Sequence, residues 1–254
     1  MPQNQENENK KLEEQKTTPA AAVQADKTEK PVVSKTVKKK KTAPSVGVET
    51  TRKNIKALIF DKWPSTGLEI QDPALRNYIN LEPRFSIVTQ GKASRKKFGK
   101  AKMHIVERFV NNLMRGGTGE KIGGRVIRDR GGTGKKAKMY NIAQRAFELV
   151  NKKTGKNPVE VLIRAIENAA PREETTRVKY GGVVYSLSVD VAPQRRVDLA
   201  LRNIGQAFAI RSFDNPKTAE ETLVDELVFA ANNDVQSHAV SRKAEAERMA
   251  RSSR

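Results

Sequence analysis

The segment that most constrains this chain runs from Asn157 to Ile204. Asn157 and Pro158 are an N-cap and first-turn pair. Val159, Leu162, Ile163 and Ile166 follow at helical spacing, so the helix they predict buries one face. Pro171 ends it. Two runs rich in β-branched and aromatic residues come next, Thr175–Tyr180 and Val183–Val191, joined at Gly181-Gly182. A Gly-Gly pair suits a primed hairpin turn, which needs positive φ. Val183, Tyr185, Leu187, Val189 and Val191 alternate with small or polar residues. The expectation is a hairpin of about 173–191 with one packed face and one wet face. Pro193 stops the second strand, and a new helix opens with Arg195 and Arg196. A two-stranded ribbon is marginal alone. With Arg177, Lys179 and Tyr180 near its tip, it reads as an arm that reaches a partner.

Charge narrows the partner. Of 254 residues 49 are Lys or Arg and 29 are Asp or Glu, a formal net charge of +20. Self-repulsion of that size gains a compact fold nothing, so a polyanion is implied. Nucleic acid is the usual one, with an anionic membrane surface as competitor. The absence of cysteine excludes disulfides, thiolate metal sites and thiol nucleophiles. No apolar run is long enough to span a bilayer. The opening MPQNQENENKKLEEQ lacks the apolar stretch of a secretory signal, so cytoplasm is the expected compartment.

Residues 1–50 are rich in Gln, Asn, Glu, Lys, Ala and Thr and carry the basic run Lys38–Lys41. Such composition cannot bury enough surface to offset its ordering entropy, so a disordered basic extension is expected. The domain proper is 51–254. Residues 54–92 read as irregular, with a short strand within 55–60 and a brief helix from Asp72-Pro73 to Tyr78. Helical periodicity then begins near Lys97 and runs through Phe98, Ala101, Ile105, Val106, Phe109 and Leu113 to Gly116-Gly117. A second helix carries Met139, Ile142, Ala146, Phe147 and Val150, and the helix of 157–170 is the third. A fourth carries Val197, Leu201, Ile204 and Phe208. A fifth opens on the capping box Thr218/Glu221, and a last one covers Ser241–Met249. The fold expected is mainly α: a bundle of about six helices with a protruding hairpin.

Most chemical motifs dissolve on inspection. GGTG occurs at 116–119 and 131–134, the second copy followed by Lys135 and Lys136. A phosphate-binding P-loop would need Gly where Asp129 stands and Ser or Thr where Lys136 stands. Gly132, Gly134 and Ala137 fit the dinucleotide fingerprint loosely, but the next element reads as another helix and not the strand of a βαβ unit. The loop is better read through charge. Arg125, Arg128, Arg130, Lys135, Lys136 and Lys138 lie among glycines that let backbone and cations approach phosphates, and the loop opens a helix N-terminus. Arg195 and Arg202 are two helical turns apart and share a face. With Arg196 they form a second phosphate-binding candidate, since guanidinium binds phosphate bidentately. Tyr180 is a base-stacking candidate, whereas Tyr185 falls on the apolar alternation expected to pack. His104 and His238 have no acidic or thiol partner at ligand spacing and read as structural or surface residues; no metal or cofactor is expected. Glu173 and Glu174 at the hairpin foot point to opposite faces and read as solvated or Arg-paired.

Together these residues resemble a known family, the universal small-subunit ribosomal protein number seven in its archaeal and eukaryotic branch. The similar blocks are IVERFVNNLMRGG (105–117), GKKAKMYNIAQRAFELVNKKTGKNPVEVLIRAIENAAPREETTRVKYGG (134–182) and VDVAPQRRVDLALRNI (189–204). RKAEAERMARSSR resembles the family's basic last helix, and 55–81 its branch-specific N-terminal part. The resemblance implies a helical bundle with a hairpin in the head of the small subunit, bound to the 3′ major domain of the rRNA, without catalytic activity. It implies RNA-facing residues at Lys135, Lys136, Arg195 and Arg196; the full set of expected rRNA contacts adds, on charge, Arg95, Lys96, Lys97, Lys100, Arg125, Arg128, Arg130, Lys138 and Arg202. It places the tip residues Arg177, Lys179, Tyr180, Gly181 and Gly182 near exit-site tRNA and mRNA, with head and platform proteins as neighbours. The insert of 116–133 is longer than the turn of the bacterial branch, so its contacts do not transfer. An architectural DNA-binding protein is the main rival, because basic β-arms on a helical body also suit DNA wrapping. An enzyme using the Gly/Lys loop for a nucleotide is the second.

Overall fold

The apolar stripes read above meet around Phe147. In a computed structural model describing residues 58–84, 86–114, 121–122, 125–126, 132–213 and 215–254, this ring is fully buried. Phe109 stacks on it at 6.2 Å between centroids, while Phe60 and Trp63 meet it edge-on at 5.5 and 6.0 Å. These residues belong to one unit, Arg52–Arg254. The expected disorder of 1–50 concerns a segment outside the described residues.

Six α-helices build the body among the described residues: α1 Ile105–Leu113, α2 Lys136–Thr154, α3 Pro158–Ala169, α4 Pro193–Ser212, α5 Ala219–Ala231 and α6 His238–Ser252. The fold is mainly α, as expected. Helix α3 starts as its sequence predicts, with the Asn157 side chain accepting from Val159 N at 3.0 Å. Helix α5 has the full Thr218/Glu221 capping box. It packs against α2, α3 and α4, and α1 packs against α2 and α4. Helices α1 and α4 approach closely at Gly205, where a Cβ would lie 2.9 Å from the Asn112 carbonyl oxygen. Helix α6 is longer than expected at both ends. Its first turn is anchored by a fully buried carboxylate, Glu226, which accepts from Ser237 Oγ at 2.7 Å and Ala239 N at 3.1 Å. A long-range carboxylate satisfies orphan helix N–H groups, which no local spacing announces.

Strands β1 Leu58–Ile59 and β2 Trp63–Pro64 form a minimal pair. The brief helix expected from Asp72 is a run of turns, because Asp72 Oδ1 accepts from Ala74 N at 3.0 Å and closes an Asx turn. Helix α1 begins eight residues later than the periodicity suggested. Residues 92–102 form two short 3-10 segments, Lys92–Arg95 and Gly99–Lys102, and the N-cap of α1 is His104. The glycine-rich loop contains a short antiparallel pair, β3 Lys121–Ile122 with β4 Arg125–Val126.

Strands β5 Glu173–Tyr180 and β6 Val183–Asp190 pair in register from Glu173↔Asp190 to Tyr180↔Val183. Gly181 and Gly182 take φ of 57° and 84°, the two positive values a type I′ turn needs. The expectation of one packed face fails. Val178, Val183, Val184, Tyr185, Leu187 and Val189 are all exposed, and only Val191, beyond the strand, is buried. Helix α6 contacts the foot of the ribbon, so the register of apolar residues has nothing to pack on further out.

Candidate nucleic-acid interface

Residues 92–102 owe their shape to steric and hydrogen-bond constraints. Gly99 N donates to Lys96 O at 2.9 Å, and Ala101 N donates to Phe98 O at 3.1 Å. A Cβ at Gly99 would sit 1.8 Å from the Ala93 carbonyl oxygen, so only glycine fits between the two 3-10 segments. The tight turn holds Arg95, Lys96, Lys97, Lys100 and Lys102 on the surface.

Beside this turn, the start of α4 completes a cleft of about 720 Å³. Lys97, Phe98, Lys100, Arg195 and Arg202 line it, so the two arginines seven residues apart do share a face. A part-buried ion pair also lines it: Arg108 Nη2 donates to Asp198 Oδ1 at 3.0 Å and Arg108 Nη1 to Tyr78 O at 2.7 Å. Lys100 Nζ lies 3.6 Å from the other Asp198 oxygen. A neighbouring cleft of about 500 Å³ shares Lys97 and adds Arg84, Lys96 and Lys102. Arg84 lies in the irregular stretch of 54–92 and Lys102 within the expected first helix, where no periodic pattern singles out either as a phosphate ligand.

Glu107 ties the start of α2 to the same region. Its fully buried carboxylate accepts from Thr89 N at 3.0 Å and from Lys136 Nζ at 2.6 Å. Lys136 is therefore a strut, not a free phosphate ligand. Lys135 and Lys138 beside it are exposed. Helix α2 has neither a side-chain cap nor an acidic residue in its first turn, so its end stays electropositive. Lys96, Lys135, Lys138 and Arg202 form no ion pair with any described residue.

Arg195 and Arg196 part company. Arg195 is exposed and makes a bidentate pair with Glu174 at the hairpin foot, at 2.7 and 2.8 Å. That fork holds the Glu174 carboxyl below its usual range, despite opposing desolvation. Glu173, on the other face, pairs with Arg254. Arg196 is buried. Its Nη2 donates to Asp72 Oδ2 at 2.8 Å and its Nε to Pro171 O at 3.2 Å. The expectation that Arg196 faces RNA is corrected: adjacent helix positions are 100° apart, and this one turns into the body.

On the arm, Arg177, Lys179 and Tyr180 are exposed, Tyr180 by 80%. The structure gathers Lys97, Lys100, Arg195 and Arg202 around one cleft, puts Lys96 on the neighbouring one and sets the tip residues apart, on the ribbon. The Arg125 backbone lies in β4, and Arg128 and Arg130 fall outside the described residues. Among the described residues no cluster of His, Asp or Glu could hold a metal. None of the helices among the described residues is long and apolar enough to cross a membrane. His104 is a buried N-cap, its Nδ1 accepting from Val106 N at 3.2 Å.

A helical scaffold with cation-lined clefts and an exposed basic ribbon is the build of a structural nucleic-acid-binding protein. A family model described as ribosomal protein S7p/S5e matches residues 76–254, and the chain belongs to that family. It is accordingly a structural protein of the small ribosomal subunit that binds rRNA, in a family that is structural and non-enzymatic.

Proposed function

We propose that the protein belongs to the archaeal and eukaryotic branch of the family, as the resemblance of residues 55–81 suggests. It sits in the head of the cytoplasmic small subunit, where it organises the 3′ major domain of the rRNA. Arg95, Lys96, Lys97, Lys100, Lys135, Lys138, Arg195 and Arg202 take phosphates. Arg125, Arg128 and Arg130 join them on composition alone. Lys136 and Arg196 hold the body together instead. Arg177, Lys179, Tyr180 and the Gly181-Gly182 turn reach toward exit-site tRNA and mRNA, with head and platform proteins alongside.

The observation that carries this reading is the set of exposed cations around two adjoining clefts, of which Lys96, Lys97 and Arg202 meet no carboxylate among the described residues. Cations that no carboxylate neutralises are free to displace counterions from phosphates. Replacing Lys97 and Arg202 together by Ala removes two of them from one cleft. The expected result is weaker binding to 3′ major domain rRNA and a log–log salt slope shallower by about 1.5. Stability should stay within about 0.5 kcal/mol, since both side chains are exposed. Arg196→Ala is the contrast: it strands Asp72 and should cost about 3 kcal/mol in urea unfolding while leaving the slope alone. Unchanged affinity and slope in the double variant would remove the clefts from the rRNA interface.

A further inference from the structure

Phe98 is the residue of this surface that neither the core nor the cation pattern explains. Met103 and Ile105, the next large apolar residues in the chain, are buried, but its own side chain is 64% exposed. Its backbone is left-handed, with φ of 58° and ψ of 13°, a region that bulky residues rarely occupy. Glycine or asparagine would adopt that backbone with less strain. The turn that imposes it is rigid, because Gly99 is wedged against the Ala93 carbonyl and both flanking hydrogen bonds are made. The ring is thus held out on the cleft wall, between Lys97 and Lys100 in the chain, with the Lys97 ammonium 5.8 Å from its centroid.

We infer that Phe98 is a stacking platform for an unpaired base of RNA, whose flanking phosphates rest on Lys97 and Lys100. This rests on the proposed role of the cleft and adds the class of nucleotide it takes. Single-stranded RNA is recognised by aromatic rings that stack on splayed bases beside a cationic track. A duplex keeps its bases stacked on one another and offers the ring nothing. A fixed aromatic side chain also loses little conformational freedom on binding. The positive charge around the ring favours a nucleic acid over an apolar protein surface, which would have to bury those cations.

The test uses the full-length protein with two probes, a single-stranded RNA of about 12 nucleotides and a duplex of the same length. Binding is measured at about 0.3 M salt, where long-range attraction by other basic segments is damped. Phe98→Leu should weaken single-strand binding about ten-fold and leave the duplex unaffected. Its salt slope should match the wild type, because stacking releases no counterions. Phe98→Tyr should retain binding. Phe98→Trp should gain fluorescence that the single strand quenches and the duplex does not, above the constant signal of buried Trp63. Equal loss on both probes, unchanged single-strand affinity in Phe98→Leu, or Phe98→Trp emission that responds only to another ribosomal protein would each overturn the inference. If the Lys97/Arg202 double variant lowers the slope while Phe98→Leu does nothing, stacking alone is wrong. If both leave RNA binding unchanged, the cleft reading itself falls.

Discussion

Neighbouring residues of one type do opposite work here. Arg195 and Arg196 differ by one helical position, and that rotation puts one at a solvent-facing cleft and the other against Asp72. Lys135 and Lys136 split in the same way around Glu107. Their types were legible as phosphate ligands; their directions depend on carboxylates far along the chain. His104 was legible only as a structural or surface residue, and its role as N-cap gives it a pH signature. Burial, with Arg84 nearby, pushes its pKa down to about 4 against the partial opposition of Glu107. The neutral ring is needed to accept the Val106 N–H. A depressed folded pKa means the unfolded chain takes the proton first. Stability should therefore be intact above about pH 6.5 and fall as pH drops toward 4, by on the order of 3 kcal/mol from this residue. His104→Asn keeps a capping side chain but loses the titration. Its urea midpoint should be lower at neutral pH yet flatter between pH 6.5 and 4 than the wild type, after correction for the carboxylates common to both.

At the scale of elements, caps and turns were the readable parts. Asn157-Pro158, Thr218 with Glu221, and Gly181-Gly182 all act through hydrogen bonds or φ values within a few residues, so spacing alone exposes them. The false start of α1 has the opposite cause. Phe98 and Ala101 sit at helical spacing from Ile105, but the chain turns at Gly99 against a carbonyl six residues back. The hairpin shows that alternation predicts a strand without saying what covers it. Its apolar residues are exposed on both faces, and its foot is held by Glu173–Arg254 and Glu174–Arg195. Deleting Lys179–Gly182 shortens the arm and touches neither the core nor the clefts. The truncated protein should melt within a few degrees of the wild type and bind rRNA with a salt slope changed by about 0.9 or less, while subunits containing it handle exit-site tRNA or reading frame poorly. Collapse of rRNA binding with normal frame maintenance would instead make the arm a primary rRNA anchor.

For the whole molecule, charge and periodicity lead to one outcome by independent routes. A net charge of +20 demands a polyanion, and the helical stripes demand a bundle that can present cations to it. We propose that residues 1–50 add a basic arm that orders only on RNA, for their composition cannot sustain a core. Limited proteolysis of the free protein should trim the chain before residue 50 and stop, and rRNA should slow that trimming; first cuts beyond residue 90 would contradict it. The amino-acid sequence by itself determined the fold class, the helix stripes, the hairpin turn and the demand for a polyanion, because propensity, periodicity and net charge are local or additive. Only the tertiary structure decided which cations are free, where α1 begins, that the ribbon stands bare and that Phe98 is held outward. Each of those depends on a partner tens of residues away or on a steric contact at one glycine, and neither leaves a periodic trace in the chain.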